Sequence, residues 1–523
     1  RRIEDILDVW LDSGSVMWAS QEVYDGESHF DTWEPADFII EGKDQIRGWF
    51  NSLLCSAMVS SKRKNYDACY MHGWTLKDNQ KMSKSQGNYF EVDELIDGEL
   101  KELKQNRKYS HIKGIETFRF YSLGAAQPGR DFNFNMKEYT DTFKILNTIW
   151  NVYVYTTQKL NLSGFDPAKH KIDKKKLTRV DEWIISRLHS TIKKLKELSD
   201  QYKLPWVTTE LRNFIVDDVS RWYIMLIRDT IDINSDDPNK FNVMAVLYDI
   251  LYEFLLMLAP VNPMLSEEIF LKVYKPYLEE KGLKKTKSIF LQVWPEFDEE
   301  VIDAKLEYQM EFSRNLIEAV RSLKDANRIR LRWPNKRLLI ETKEEMPELT
   351  FSNIIKQMGN IKELEIKDSV EESEDLVKEE SKYCNVYLDL SVDEEIIRER
   401  VENDLLRNIQ YTRKNNKLKV GEPIELTIGT KNKAIANYLK QDSEEIAAKV
   451  SAEEIEIKAE KLFEEDDYIF EKINLCPNEK CHASLKKKYI TKLKNGKNPD
   501  CPYCGTELEI PEIIDVAFKF KKI

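Results

Sequence analysis

Two long apolar stripes at helical spacing, in the middle of the chain, most constrain its fold. Trp206, Leu211, Phe214, Ile215, Val219, Trp222 and Leu226 form the first; Val246, Leu247, Ile250, Leu251, Phe254, Leu255 and Leu258 form the second. Residues spaced in this way share one face of an α-helix, and such a face must be buried against other helices. The second stripe stops at Pro260-Val261-Asn262-Pro263, because proline lacks the backbone donor and blocks the preceding turn. Residues 181–340 are therefore expected to form a helical bundle with the stripes as its core. The run from Val243 to Pro260 is interrupted by Asp249 and Glu253. No apolar run is expected to be long enough to cross a bilayer, and no membrane partner is expected.

A chain of 523 residues is too long for one core and suggests about three to five domains. With 41% hydrophobic and 33% charged residues it reads as soluble and globular. The net charge of −12 argues weakly against nucleic acid as a partner. Local basic surface counts for more than the total, however, and Leu485 to Lys497 (LKKKYITKLKNGK) is strongly basic. Seven cysteines, three of them scattered singles, do not read as a secreted disulfide scaffold. A reducing cytoplasm fits better, and no signal peptide is recognisable. The first residue is Arg1, which suggests a fragment or a processed piece.

Residues 1–125 alternate strand and helix signals. Asp37-Phe38-Ile39-Ile40 reads as a short buried strand. Gln45 to Ser60 reads as a helix that Asp44 can cap, with Ile46, Trp49, Phe50, Leu53, Leu54 and Ala57 on one face. Asp67 to His72 reads as a second strand, and helices are expected near Glu91–Ile96 and over Ile115–Gly124. This order suggests an α/β layer with function at the carboxyl ends of its strands. Residues 126–180 read as a connecting segment. Residues 341–470 read as an α+β module, with strands Val386–Leu390 and Ile424–Ile428 and helices Glu394–Arg413 and Lys433–Leu439. The acidic run 365–382 reads as an exposed helix or linker. The tail, 471–523, carries four of the cysteines.

Three constellations carry chemistry. The first is Lys81-Met82-Ser83-Lys84-Ser85, which follows Gly73-Trp74-Thr75-Leu76 and leads into Gly87-Asn88. Two lysines among small hydroxyl residues make a mobile cationic loop that can close over a polyphosphate. When a phosphate group is attacked, charge builds on the bridging and leaving oxygens, and positioned ammonium groups stabilise it. A lone Lys-x-x-Lys is ordinarily a solvated loop; the full string following a strand is more specific. The second is Glu41-Gly42-Lys43-Asp44-Gln45-Ile46-Arg47-Gly48-Trp49-Phe50. A carboxylate at a strand end can bind ribose hydroxyls, and Gln45 offers both a donor and an acceptor. The bland alternative makes Asp44 only a cap and Arg47 only a surface charge.

The third is Cys476-x4-Cys481 with Cys501-x2-Cys504, two pairs on two turns. Four thiolates suit a tetrahedral Zn2+, and a tail too small to bury a core needs a metal to fold. The first pair is looser than the usual spacing, so His482 could replace one thiolate. Free thiols in a flexible tail are the alternative. Lys486, Lys487 and Lys488 open a basic stretch that could meet phosphates.

Taken together, the strings resemble class I aminoacyl-tRNA synthetases, and the isoleucyl-tRNA synthetases in particular. KMSKS is similar to that class's signature loop. EGKDQIRGWF and Asp8-Val9-Trp10-Leu11-Asp12-Ser13-Gly14-Ser15 resemble isoleucine-type segments, and His72-Gly73-Trp74 resembles the adenine-side strand end. Trp183 to Leu188, Asp217 to Tyr223 and Leu258 to Pro263 resemble the helical anticodon-binding domain. Residues 384–460 are similar to the carboxyl-terminal region of archaeal and eukaryotic-type isoleucine enzymes.

The resemblance implies a Rossmann-type catalytic half, an anticodon-binding bundle, an α+β module and a small zinc-ribbon-like tail. It implies that Glu41, Gly42, Asp44 and Gln45 meet the adenylate, that His72 and Gly73 flank adenine, and that Lys84, supported by Lys81, contacts phosphates. Arg221 and Trp222 would meet tRNA. ATP with Mg2+, L-isoleucine and tRNA(Ile) would be the substrates, and Zn2+ would be structural. The family's other ATP signature, His-x-Gly-His, and its editing insertion do not occur in the sequence. The chain is therefore expected to be inactive alone, completed by a separate polypeptide or by the rest of a longer one. A valyl- or leucyl-type enzyme, or a tRNA-binding module without catalysis, is the alternative.

Overall fold

The computed structural model describes residues 9–20, 30–91, 93–94, 111–125, 127–280, 287–343, 347–381, 383–419, 421–495 and 497–522. The chain divides into two units, Arg1–Ala304 and Lys305–Ile523.

In the first unit, β1 (Ala36–Gly42) and β2 (Tyr66–His72) pair in parallel, with Gly42 opposite His72, and α1 (Trp49–Ser60) lies between them in sequence. Strand β1 was expected to be buried, yet Ile40 is 45% exposed, because successive side chains alternate faces and two strands cover little of either. Helix α1 starts later than Gln45. Residues Lys43–Arg47 form a 3-10 turn, so Ile46 points outward, and Leu54 is also exposed. Phe50, Leu53 and Ala57 are buried as expected. A second small sheet joins β3 (Thr75–Lys77) and β4 (Gln80–Lys81), a hairpin, to β5 (Phe132–Asn133), which runs parallel to β3. Helix α2 (His111–Ala125) covers the expected Ile115–Gly124. The helix expected near Glu91–Ile96 falls largely outside the described residues, as does Asp8.

The expected connecting segment, 126–180, is instead occupied mainly by α3 (Met136–Leu162), 27 residues long. Asn135 caps it, accepting from the Lys137 and Glu138 amides. Its buried face mixes Tyr139, Thr142, Tyr153 and Thr156 with aliphatics, which hides the stripe from a purely apolar count. The bundle continues through α4 (Arg179–Asp200), opened by a Thr178–Asp181 capping box, and α5 (Leu204–Arg212). Helix α5 runs on through a wide turn over Asn213–Tyr223. Helices α6 (Lys240–Leu258) and α7 (Pro263–Ile269) follow. Both stripes are core, except that Trp206 is 45% exposed and Leu226 is half-buried. Contrary to the sequence expectation, α6 is long and apolar enough to cross a membrane, alone in this among the described residues. Val246, Leu247, Phe254 and Leu255 are nevertheless 0% exposed, as in the central helix of a bundle.

The second unit begins with α8 (Ala304–Ala326) and holds two four-stranded sheets. The first has order β7-β6-β9-β8, from β6 (Asn335–Thr342), β7 (Ile361–Lys367), β8 (Leu376–Glu380) and β9 (Cys384–Asp389), with α9 (Ser352–Gly359) linking β6 to β7. The bundle expected to reach residue 340 thus gives way to strand at Asn335. The acidic run 365–382 is neither helix nor linker: it holds the end of β7 and all of β8, an edge strand paired antiparallel to β9. Its acids suit an edge, where charge blunts further pairing.

The second sheet has order β11-β10-β13-β12, from β10 (Ile424–Thr430), β11 (Ala452–Lys458), β12 (Ile469–Leu475) and β13 (Ile514–Lys522). Helices α10 (Glu394–Asn415), α11 (Lys433–Gln441) and α12 (Ser443–Val450) pack on it through Val401, Leu405, Ile409, Ile435 and Ile446 against Phe518 and Phe520. The residues expected to form a separate tail from 471 therefore divide. Residues 471–475 and 514–522 are strands of this sheet, and the cysteine segment is inserted between them.

Candidate active site and cysteine centre

The parallel register of β1 and β2 brings their carboxyl ends together, and with them two of the constellations. Gly42 lies opposite His72, and a Cβ built on Gly42 would sit 3.7 Å from the His72 ring. The His72 Nδ1 donates to the Gly73 carbonyl at 2.8 Å. Glu41 and Asp44 are exposed at this edge. Asp44 does not cap the helix. Gln45 does, its Oε1 accepting from the Trp49 amide at 3.0 Å while its Nε2 donates to Asp44 at 3.0 Å. Asp44 and Gln45 are therefore held as one polar pair facing the strand ends.

The residue that joins these segments was not singled out in the sequence. Asp131 accepts from Lys43 Nζ at 2.5 Å and from the Trp74 amide at 2.7 Å. The Lys43 hydrogen bond, then the Trp74 amide, hold its carboxyl below the usual aspartate range. The turn at Pro128-Gly129 sets this up. The Gly129 amide donates to Met71 O at 2.7 Å and the Gly73 amide to Arg130 O at 3.2 Å. Backbone approaches backbone so closely that a Cβ on Gly73 would lie 2.3 Å from Arg130. A Pro-Gly-Arg-Asp string ahead of an aromatic pair was the available signal.

The cationic loop leaves β4 at Lys81, whose ammonium lies 3.7 Å from the centre of the Trp74 ring. The loop is folded upon itself. The Ser83 amide donates to Asn88 Oδ1 at 2.7 Å, and Asn88 Nδ2 donates to Lys81 O at 3.1 Å. The Ser83 and Ser85 hydroxyls lie 2.8 Å apart, and Gly87 takes a positive φ of 63°. Lys84 opens a short 3-10 turn, but its side chain lies outside the description. Of the two bundle residues expected to meet tRNA, Arg221 is exposed and paired with Asp217 at 2.8 Å. Trp222 is only 7% exposed and belongs to the core stripe, so its ring is not a surface contact.

In the second unit the four cysteines converge. The sulfurs of Cys476, Cys481, Cys501 and Cys504 all lie within 4.8 Å of one another, with Cys476–Cys504 at 3.7 Å and Cys481–Cys501 at 4.0 Å. Four sulfurs ~2.3 Å from a tetrahedral ion would stand about 3.8 Å apart, so the set could hold a metal. Crowding divides their acidity. Hydrogen bonds from Cys476 and Cys481 hold Cys501 well below an ordinary thiol, while those with Cys476 and Cys501 push Cys481 up. The loose first spacing is accommodated at His482, which takes a φ of 44° and turns its Nδ1 to the Cys476 carbonyl at 3.2 Å. His482 stands outside the four-sulfur group. Lys486 immediately precedes α13 (Lys487–Lys494), and Lys486, Lys487 and Lys488 are all exposed.

Residues 1–135 match the family model described as "tRNA synthetases class I (I, L, M and V)", and residues 181–340 match "Anticodon-binding domain of tRNA ligase". The chain belongs to the class I aminoacyl-tRNA synthetases. Its curated relatives carry the narrower name isoleucine--tRNA ligase. That of Pyrococcus abyssi is 34% identical over 70% of this chain and 33% of its own length. That of Methanopyrus kandleri is 29% identical over 87% of this chain and 48% of its own. That of Methanothermobacter marburgensis is 36% identical over 66% and 31%. Within the class, then, this chain is similar to enzymes of the isoleucyl type. It spans about a third to a half of the length of these relatives.

Proposed function

We propose that the chain serves isoleucine--tRNA ligation: ATP, L-isoleucine and tRNA(Ile) give isoleucyl-tRNA, AMP and diphosphate through an isoleucyl-adenylate. The observation that carries this reading is the isoleucine--tRNA ligase identity shared across both family-model regions. The structure supplies a physical rationale for residues 36–135. Two strand ends, tied by Asp131, bring Glu41, the Asp44–Gln45 pair and His72 to one edge of the sheet. Glu41 suits ribose hydroxyls, Gln45 and Asp44 the amino-acid end, and His72 with Gly73 the adenine. The loop lysines Lys81 and Lys84 suit the departing diphosphate of an ATP–Mg2+ substrate, where added positive charge lowers the barrier most.

The four cysteines suit a structural Zn2+, which would tie the insertion together without touching the reaction. We place the activity in the cytoplasm. The relatives are longer, and we propose that the complementary half of the site, in the same polypeptide or a second one, is needed for turnover. The test is isoleucine-dependent ATP–pyrophosphate exchange by this chain, with and without the amino-terminal half of the Pyrococcus abyssi relative. Exchange only in the mixture, with isoleucine preferred over valine and leucine, is expected. Exchange by the chain alone would remove the need for a complementary half. Exchange preferring valine or leucine would overturn the isoleucine assignment.

A further inference from the structure

Two lysines of the β3–β4 hairpin rest on aromatic rings. Lys81 Nζ lies 3.7 Å from the centre of the Trp74 ring, and Lys77 Nζ lies 4.0 Å from that of Phe90. The register of the hairpin sets up the first contact. Leu76 stands opposite Lys81, so Trp74, two residues before Leu76, is the diagonal neighbour of Lys81 across the ribbon. Diagonal neighbours stand about 7–8 Å apart, within reach of a long side chain. Lys81 is exposed and makes no ion pair among the described residues, whereas Lys43 is paired with Asp131.

The ring under Lys81 is fixed from below. The Trp74 amide donates to Asp131 at 2.7 Å, and the Trp74 carbonyl accepts from the Phe132 amide at 3.0 Å. The same two segments are joined through Asp131 to Lys43, just beyond the end of β1. Lys81 itself is held by its backbone alone: its carbonyl accepts from Asn88 Nδ2 at 3.1 Å, while Asn88 Oδ1 accepts from the Ser83 amide at 2.7 Å. Its side chain can therefore leave the ring by rotation about its own bonds, with the loop backbone still folded. An exposed cation–π contact shifts an equilibrium only about two- to fivefold. A charge-assisted hydrogen bond to a phosphate oxygen is stronger. The ring thus keeps the ammonium in one place and still gives it up to a polyphosphate. A carboxylate in the same position would hold the lysine in an ion pair and repel the incoming anion.

We propose that Trp74 is a positioning residue for adenylate formation: its ring parks the Lys81 ammonium while the phosphate site is empty and releases it to the polyphosphate of ATP. A long, rotamer-rich side chain is then ordered before ATP arrives, which removes part of the ordering cost from binding. The inference rests on the ligase reading, which makes ATP the ligand of the loop.

Fluorine NMR of the full chain tests it, with 5-fluorotryptophan at all 11 tryptophans and the Trp74 resonance assigned by W74F. Spectra are taken of the chain alone and mixed with the amino-terminal half of the Pyrococcus abyssi relative. K81M should move the Trp74 resonance of the free chain. Mg–ATP added to the mixture should move the wild-type resonance toward the K81M position. In ATP–pyrophosphate exchange by the mixture, W74L should lower kcat/KM for ATP about three- to tenfold and leave KM for isoleucine unchanged. W74F, which keeps a ring, should restore most of the loss. In a K81M background W74L should have no further effect, whereas loss of a purely structural ring would add its own. A Trp74 resonance that K81M leaves in place overturns the inference, as does one that Mg–ATP leaves in place while exchange proceeds. Additive effects of W74L and K81M overturn it too, and in all three cases the ligase reading stands. Absence of exchange by the wild-type mixture overturns the ligase reading and this inference with it.

Discussion

At the scale of single residues, the candidate active site depends on a close approach that only glycine permits. A Cβ on Gly73 would lie 2.3 Å from the Arg130 carbonyl, and both neighbours are backbone, which cannot swing aside. Gly73→Ala should therefore separate β3 from β5 and cost about 1–3 kcal/mol, in the range of other overpacking changes. Urea unfolding followed by tryptophan fluorescence would show it, with Gly42→Ala as the comparison, since the atom in its way belongs to the flexible Asp44 side chain. The lysine roles are tested differently. In a mixture that supports exchange, Lys84→Ala should lower the rate of adenylate formation about 100- to 1,000-fold, with little change in isoleucine binding, because the ammonium acts where charge develops. An unchanged exchange rate would remove Lys84 from the mechanism.

At the scale of elements, Lys324 shows how the second unit is pinned. Its ammonium, 1% exposed on α8, donates to the Trp333 carbonyl at 2.7 Å. Burial, and then the nearby Arg400 guanidinium, pull its pKa down to about 7. An unfolded lysine titrates near 10.4. Between these values the unfolded chain binds more protons than the folded one, so stability rises with pH from about 7 toward 10. The gain should be on the order of a few kcal/mol, and Lys324→Met should flatten the pH profile of unfolding over that window.

The same scale shows what could be read in the sequence. The bundle stripes, β2, β9, β10, α10 and α11 were legible because each has a clean period. Helix α3 was not, since its buried face alternates tyrosine and threonine with aliphatics. Strand β8 was not, since charged residues outnumber its two apolar ones and only its pairing with β9 makes it a strand. In the candidate site, Glu41, Gln45, His72 and the lysine loop were legible as strings. Asp131 was not, because its partner Lys43 lies 88 residues away in sequence.

At the scale of the whole molecule, the cysteine centre closes a loop within a sheet and does not end the chain. Strands β12 and β13 are antiparallel neighbours, and the cysteines lie between them. The insertion's small core packs Leu485, Leu493 and Leu508 with Trp333, a residue more than 140 positions earlier in sequence. A metal at the four sulfurs would therefore stabilise Lys305–Ile523 as a unit, through Trp333 and through Asp404, which accepts from Trp333 Nε1 and the Ser484 amide, as well as locally. Removing it with a chelator such as 1,10-phenanthroline should lower the melting transition of that unit. A loss of a few kcal/mol corresponds to about 10 °C at this size. Trp333 fluorescence should shift to the red as its packing opens. The transition of Arg1–Ala304, whose stripes form a core of their own, should stay where it is. Cys501→Ser should reproduce the chelator's effect and abolish further response to it. If calorimetry shows both transitions moving together, or neither, the centre does not stabilise the second unit in this way.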